Sequence, residues 1–474
     1  MDITLYTNQL EQFRRSLYQN FNNRADTLME VVDGMSSQPE AQSVVEYSLA
    51  GCFRRSYSTI FKAIDEMKLA PLWLAEQLAS SLVKPQAWPF WRWLVAVTPN
   101  PCPYARTLAD RGMGYQPAVV KGKLPVTSGH QYSTVALGLE LEVGVSSSWV
   151  LALLTRRVAT AEDKEQVGMA QIGQLLEHAN LAFGQALTVE VADSSYSKPA
   201  SLPAHRQYPN LVTMVRTRGT RTFYHQPVAS AEAVANPGQG HPTWYGAPFS
   251  LAAAAIATPP DETQTLWETR RRGKQYRVAM PAWHNLLMPG KRQPVPLPRH
   301  EHPFTLLRIV RYDQAGNPAG KHPLWLIVMG KRRHELTLTH IVQAYAPRFD
   351  MEHSGARWAR FGKQKLLLVG FQTPEVARQK NWFQLTHLAY AQLWRGRHLV
   401  DCLPRPWERN LPAMRRHLSS PTLVQRGFDR IIRQLGTPAQ PPKPRGISPG
   451  RRKGIKLPKR LRQKVVLKRL IVTK

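Results

Sequence analysis

Acidic residues are scarce in this chain. Against 64 Lys and Arg it holds 32 Asp and Glu, leaving a net charge of +32 over 474 residues. Such an excess repels itself unless a polyanion neutralises it, so nucleic acid is the expected partner, with a membrane surface as the alternative. Cysteine is scarcer still. Cys52, Cys102 and Cys402 form no CxxC pair, which argues against a structural zinc site and a disulfide framework and fits a reducing cytoplasm. No apolar run reaches the roughly eighteen residues that a bilayer span needs, and the opening MDITLYTNQLEQFRR lacks a signal-peptide pattern. HExxH and GxxxxGK[ST] are also missing. Their absence removes zinc-protease and phosphate-loop chemistry, and with the latter any ground for a nucleotide cofactor.

What is present is a folded chain with thirteen Trp and 43% hydrophobic residues, long enough for two or three cores. Residues 1–87 space apolar side chains at three and four and are predicted to be a helical domain. Eight cations face ten carboxylates over residues 1–90, so the basic excess lies downstream. The pairs Arg14-Arg15 and Arg54-Arg55 suit either phosphate contacts or a solvated helix face. From Trp88 short strands take over: WRWLVAVTP, QYSTVALGLEL and SSWVLALLTRRV, then a helix at KEQVGMAQIGQLLEHANLAF and a strand ending in Asp at ALTVEVADSSY. Three strands, a helix and a strand is the order of an RNase H-like α/β core, assigned to residues 88–208. Residues 209–335 are predicted to be a β-rich insertion, and residues 336–403 the C-terminal helices of the core. Residues 404–474 are Pro-broken and basic. The last 34 of them, 441–474, hold thirteen Lys and Arg and no acid, the composition of a flexible polyanion-binding arm.

Two carboxylates stand out. Asp193 closes the strand ALTVEVAD, where it can ligate a metal at a sheet edge or cap the next turn with Ser194 and Ser195. Glu352 lies among cations. On a continuous helix Tyr345, Arg348 and Glu352 share a face, and Lys363 falls about 20° from it. That face suits either a Mg²⁺-binding carboxylate flanked by phosphate-binding groups or an ordinary salt-bridged helix surface.

Tyr345, Arg348 and Glu352 followed by a Lys resemble the Y-x2-R-x3-E-x6-K signature of cut-and-paste insertion-sequence transposases, bacterial DDE enzymes with an RNase H-like core. NRADTLMEVVDG, TPNPCPYARTLADRG, GHQYS, LVTMVRTRGTR and NWFQLTHLAYAQLW extend the likeness to about residue 400. The resemblance implies carboxylates that hold two Mg²⁺ ions, with Mn²⁺ able to substitute, for in-line displacement at phosphorus. It assigns Asp193 and Glu352 as catalytic metal ligands. Tyr345, Arg348 and Lys363 are assigned as DNA contacts, and Arg216, Arg218 and Arg221 as phosphate contacts or surface charges on a β ladder. It further implies Mg²⁺-dependent cleavage and transfer of double-stranded DNA at element ends by a homodimer on DNA, located in the cytoplasm with the nucleoid.

The chain departs from the pattern twice. The first Asp of the family belongs a few residues before TPNP, on or beside Ala96, and no acid occurs between Glu76 and Asp110. Asp110 comes after that turn, and Glu140 and Glu142, on the next strand, are the other acids that could reach the site. Losing that ligand is expected to impair two-metal chemistry, so a catalytically inactive DNA-binding descendant is the alternative. Second, ten residues rather than six separate Glu352 from Lys363, an extra stretch of about one helical turn, about 6 Å.

Overall fold

The computed structural model describes residues 3–80, 82, 88–115, 126–139, 149–181, 183–199, 202–227, 244–252, 258–269, 273–290, 298–320, 322–345, 358–402, 420–444 and 459–467. Four helices open the chain, α1 (Ile3–Asn20), α2 (Ala25–Ser37), α3 (Ser58–Glu66) and α4 (Trp73–Ala79). Strands β1 (Trp91–Pro101), β2 (Gly112–Tyr115), β3 (Val126–Gly138) and β4 (Val150–Val158) follow, then α5 (Lys164–Glu177) and β5 (Thr188–Ala192). Next come β6 (Leu211–Thr217), β7 (Thr222–Tyr224), β8 (Pro248–Ser250), β9 (Glu262–Thr269), β10 (Gln275–Leu286), β11 (Phe304–Tyr312) and β12 (Leu324–Met329). Helices α6 (Leu338–Tyr345), α7 (Trp358–Lys365), α8 (Val376–Cys402) and α9 (Pro421–Leu435) complete the described elements. The fold class is α/β with a large mixed sheet, consistent with the RNase H-like core that the sequence resemblance implies.

Two compact units share the chain. The first comprises Met1–Leu82, Val97–Val167 and Phe349–Lys474, and the second Val83–Ala96 and Gly168–Arg348. In the first unit α8 is the central helix, packed against α1, α2, α3, α9 and β4. Its apolar residues run round most of the helix, with Trp382, Leu385, Leu388, Ala389 and Leu393 all buried, as a helix surrounded by neighbours requires. β3 lies between β2 and β4, antiparallel to both. It also lies beside β1 and approaches it so closely that a Cβ at Gly129 would stand 2.2 Å from the Asn100 carbonyl oxygen. Glycine is therefore required there by space alone.

Ion pairs inside the first unit settle the paired arginines. Arg14 donates to Asp33 at 2.7 Å and to the Gly436 carbonyl, and Gln392 donates to the other oxygen of Asp33. Arg54 and Arg55 both bond Glu30, whose side chain is fully buried, and both reach the backbone carbonyl of Gln440. These three guanidiniums neutralise buried carboxylates, each of which needs its cation. Arg15 is different: it is exposed and bonds Glu11 one turn away. The C-terminal stretch also has more order than its prolines suggest. α9 lies within it, capped by Ser420, and Gln463 and Val466 donate backbone N–H groups to Arg106 and Arg111 beside β2.

In the second unit the first half of β1 pairs in parallel with β5, Trp91 to Leu94 against Thr188 to Val191. β6 pairs in parallel with β5, so the strand that the sequence groups with the β-rich insertion is a member of the parallel core. β12, β11, β10 and β9 then continue outward in that order, each antiparallel to the last. β5 is buried along its whole length, the pattern of a central parallel strand covered on both faces. Among the described residues no helix is long and apolar enough to cross a membrane.

Candidate active site

Asp193 follows β5 and opens the 3-10 helix Ser194–Ser197. Its Oδ1 accepts the Ser195 backbone N–H at 2.7 Å and also bonds the Ser195 hydroxyl. The capping arrangement that Asp-Ser-Ser suggests is therefore present. The cap fixes the carboxylate at the C-terminal end of a buried strand, the edge at which open α/β sheets place ligands. Carrying the β1–β5 register two residues past Leu94 and Val191 sets Ala96 opposite Asp193. Ala96 is buried and offers no donor atom.

Next to this edge the second unit has a basic cleft of about 670 Å³, lined by Ser194, Arg216, Arg218, Arg308, His322 and Trp325 among others, with no acid in its wall among the described residues. Arg216 is the penultimate residue of β6 and Arg218 follows the strand; both are exposed. Arg308 comes from β11, with its guanidinium 5.8 Å from the Trp325 ring centroid. Arg221 is partly buried and donates to the Ser197 carbonyl at 2.5 Å. Burial, and then the neighbouring Arg218, lower its pKa. Arg221 therefore ties the turn after β6 to the turn after Asp193. Arg308 and His322 are absent from the sequence-based assignment. Neither lies in a motif, and only the pairing of β11 with β12 and β12 with β6 brings them to Arg216.

A second carboxylate of β5 was also missed. Glu190 is fully buried and bonds His205 Nδ1 at 2.7 Å and the Thr213 hydroxyl at 2.8 Å. The signal was legible as one Glu inside the apolar run TVEVA. Its partners hold the carboxylate inside the sheet rather than at the cleft.

The remaining expected residues divide. Tyr345 is buried at the end of α6 in the second unit, and Lys363 is half-buried on α7 in the first. Arg348 and Glu352, like Glu140 and Glu142, lie outside the described residues, as does the helical face they were expected to share. Asp110, the other acid considered near the first strand, bonds Arg157 in the first unit.

The sequence pattern of the DDE superfamily endonucleases matches residues 16–288, more than half of the chain. This chain belongs to the DDE superfamily endonuclease family. A comparison with curated proteins gave no match. The family implies a DNA substrate and nuclease or transposase activity. The matched stretch includes Ala96, Asp193 and Arg216–Arg221, whereas Tyr345, Arg348, Glu352 and Lys363 lie beyond it. DDE endonucleases generally use divalent metals. Among the described residues no three His, Cys, Asp or Glu come together as a metal site, and the cleft is lined by Ser194, the residue after Asp193, and by no carboxylate. The described residues thus do not by themselves fit a two-metal centre.

Proposed function

We propose that the chain is an insertion-sequence DNA transposase, acting on element ends, in which cleavage is weakened by Ala96. The observation that carries the reading is the acid-free basic cleft beside Asp193, at the C-terminal edge of a parallel sheet in a DDE endonuclease. Arg216 and Arg218 would hold backbone phosphates and set the scissile bond near Asp193, with Arg221 bracing the turn. Asp193 and Glu352 would be the Mg²⁺ or Mn²⁺ ligands, and Tyr345, Arg348 and Lys363 would add contacts from the signature stretch. The working form would be a homodimer on double-stranded DNA, in the nucleoid-associated cytoplasm.

Ala96 favours a second reading, a DNA-binding protein that no longer cleaves. One experiment separates the two: cleavage of the chain's own element ends with Mg²⁺ or Mn²⁺, by the native protein, Ala96→Asp and Glu352→Gln. Native activity abolished by Glu352→Gln supports the transposase. Activity gained only in Ala96→Asp shows the native chain to be inactive, and binding without cleavage in all three sinks the catalytic reading.

A further inference from the structure

The outer strands of the second unit have two unlike faces. Along β9 the residues alternate strictly, with Thr263, Thr265, Trp267 and Thr269 exposed and Glu262, Gln264, Leu266 and Glu268 turned inward. The inward side is covered. α6 packs against β9, and Thr339 of α6 bonds Gln264. Both acids of the strand are on that side, Glu268 paired with Arg311 and Glu262 with His284.

The outward side holds no acid from Thr263 to Thr269. Trp267 is 64% exposed, a large apolar surface on an edge strand. Register places it beside Arg277 of β10, which stands beside Tyr312 of β11. The Arg277 guanidinium lies 5.0 Å from the Tyr312 ring centroid. The same face carries Arg308, two positions along β11 from Val310 and four from Tyr312, level with Trp325 and Thr217. A second cleft of about 360 Å³, lined by Arg308, Arg311, Tyr312 and His322, shares Arg308 and His322 with the cleft beside Ser194. Asp261, which precedes the strand, accepts the His284 N–H, and Asp313, which follows β11, accepts the Asn317 N–H.

We propose that this face is a binding track for a single strand of DNA, leading from the basic cleft along Arg308 and Tyr312 to Arg277 and a base-stacking platform at Trp267. Cations alternating with flat rings match the alternation of phosphates and bases in an unpaired strand. A duplex keeps its bases stacked internally and would leave Trp267 without a ring partner. The threonines add hydroxyl donors without sequence preference. The inference rests on the DNA reading above and adds the strandedness and the route.

The test uses the full chain and fluorescein-labelled oligonucleotides of one sequence, as single-stranded DNA, duplex DNA and single-stranded RNA. Affinities are read by anisotropy across a salt series. Trp267→Ala is expected to weaken single-stranded DNA by about 5- to 100-fold while duplex affinity stays within about twofold. Arg277→Ala is expected to lower the single-strand salt slope by about 0.7. Trp267→Thr, which matches its strand neighbours, repeats the test if the alanine variant melts early. Unchanged single-strand affinity in these variants overturns the track, as does equal weakening on duplex or a native preference for RNA. If Trp267→Ala instead abolishes self-association and spares DNA binding, the face is a protein interface. A native chain that binds no DNA sinks the transposase reading as well, whereas duplex binding and cleavage with an indifferent Trp267 sinks this inference alone.

Discussion

Asp110 passes through a left-handed backbone, φ 54°, to face Arg157 at 2.5 Å and the Thr160 N–H at 3.2 Å. Burial pushes its carboxyl up, but Arg157 and Thr160 outweigh burial and hold the pKa below the ordinary 3.8. A depressed carboxylate contributes stability above its unfolded pKa and loses it as pH falls through the folded value. Asn tolerates the same backbone, so Asp110→Asn removes the charge and spares the turn. The native chain is expected to exceed Asp110→Asn by on the order of 1 kcal/mol at neutral pH, a modest figure because the pair is partly exposed. That gap should close below about pH 4, as read from urea midpoints across pH; a gap that does not change with pH would remove the ionic explanation. The same logic explains Arg14, Arg54 and Arg55. Their sequence spacing resembles a phosphate-binding pair, but buried Asp33 and Glu30 claim them.

At the scale of elements, the join between β12 and the core depends on Gly330. Its φ is 155°, and a Cβ there would stand 2.6 Å from the Leu211 carbonyl oxygen and 2.9 Å from Val212 Cα, both backbone atoms of β6. Neither can swing aside as a side chain would. Gly330→Ala is therefore expected to destabilise the second unit by roughly 1–3 kcal/mol, measured as a lowered thermal midpoint. An unchanged midpoint would mean that β12 can separate from β6 at no cost. This join also governs the candidate site, because β12 is the strand that carries Arg308 of β11 into range of Arg216 of β6. The individual strands and α5 were legible in the sequence because apolar periodicity is local. The parallel pairing of β6 with β5 was not: which strand lies beside which depends on contacts far apart in the chain.

For the whole molecule, the net charge of +32 sets the binding physics. The residues 441–474 carry thirteen of those charges, and part of the segment is seated in the first unit, with Arg460 bonded to Glu375 and Val466 to Arg111. Deleting 441–474 is expected to flatten the log–log salt dependence of duplex binding by about 0.9 for each phosphate that the tail neutralises. Deleting 468–474 alone, which leaves the seated part, should flatten it less. Identical slopes for all three proteins would show that the tail touches no phosphate.

By itself the sequence carried the basic charge that points to a polyanion, the α/β class and the family resemblance, and it offered capping as one of two roles for Asp193, because charge, periodicity and Asp-Ser-Ser turn chemistry are local properties. It also raised the expectation that Ala96 stands where the family has its first acid. Only the tertiary structure decided that Arg14, Arg54 and Arg55 pair with buried carboxylates, that β6 pairs in parallel with β5, and that Arg308 and His322 join Arg216 and Arg218 around one basic cleft. Those outcomes depend on which distant segments share a sheet or a buried charge. Cations alike in sequence are separated into structural and available ones only when folding gives some of them a carboxylate.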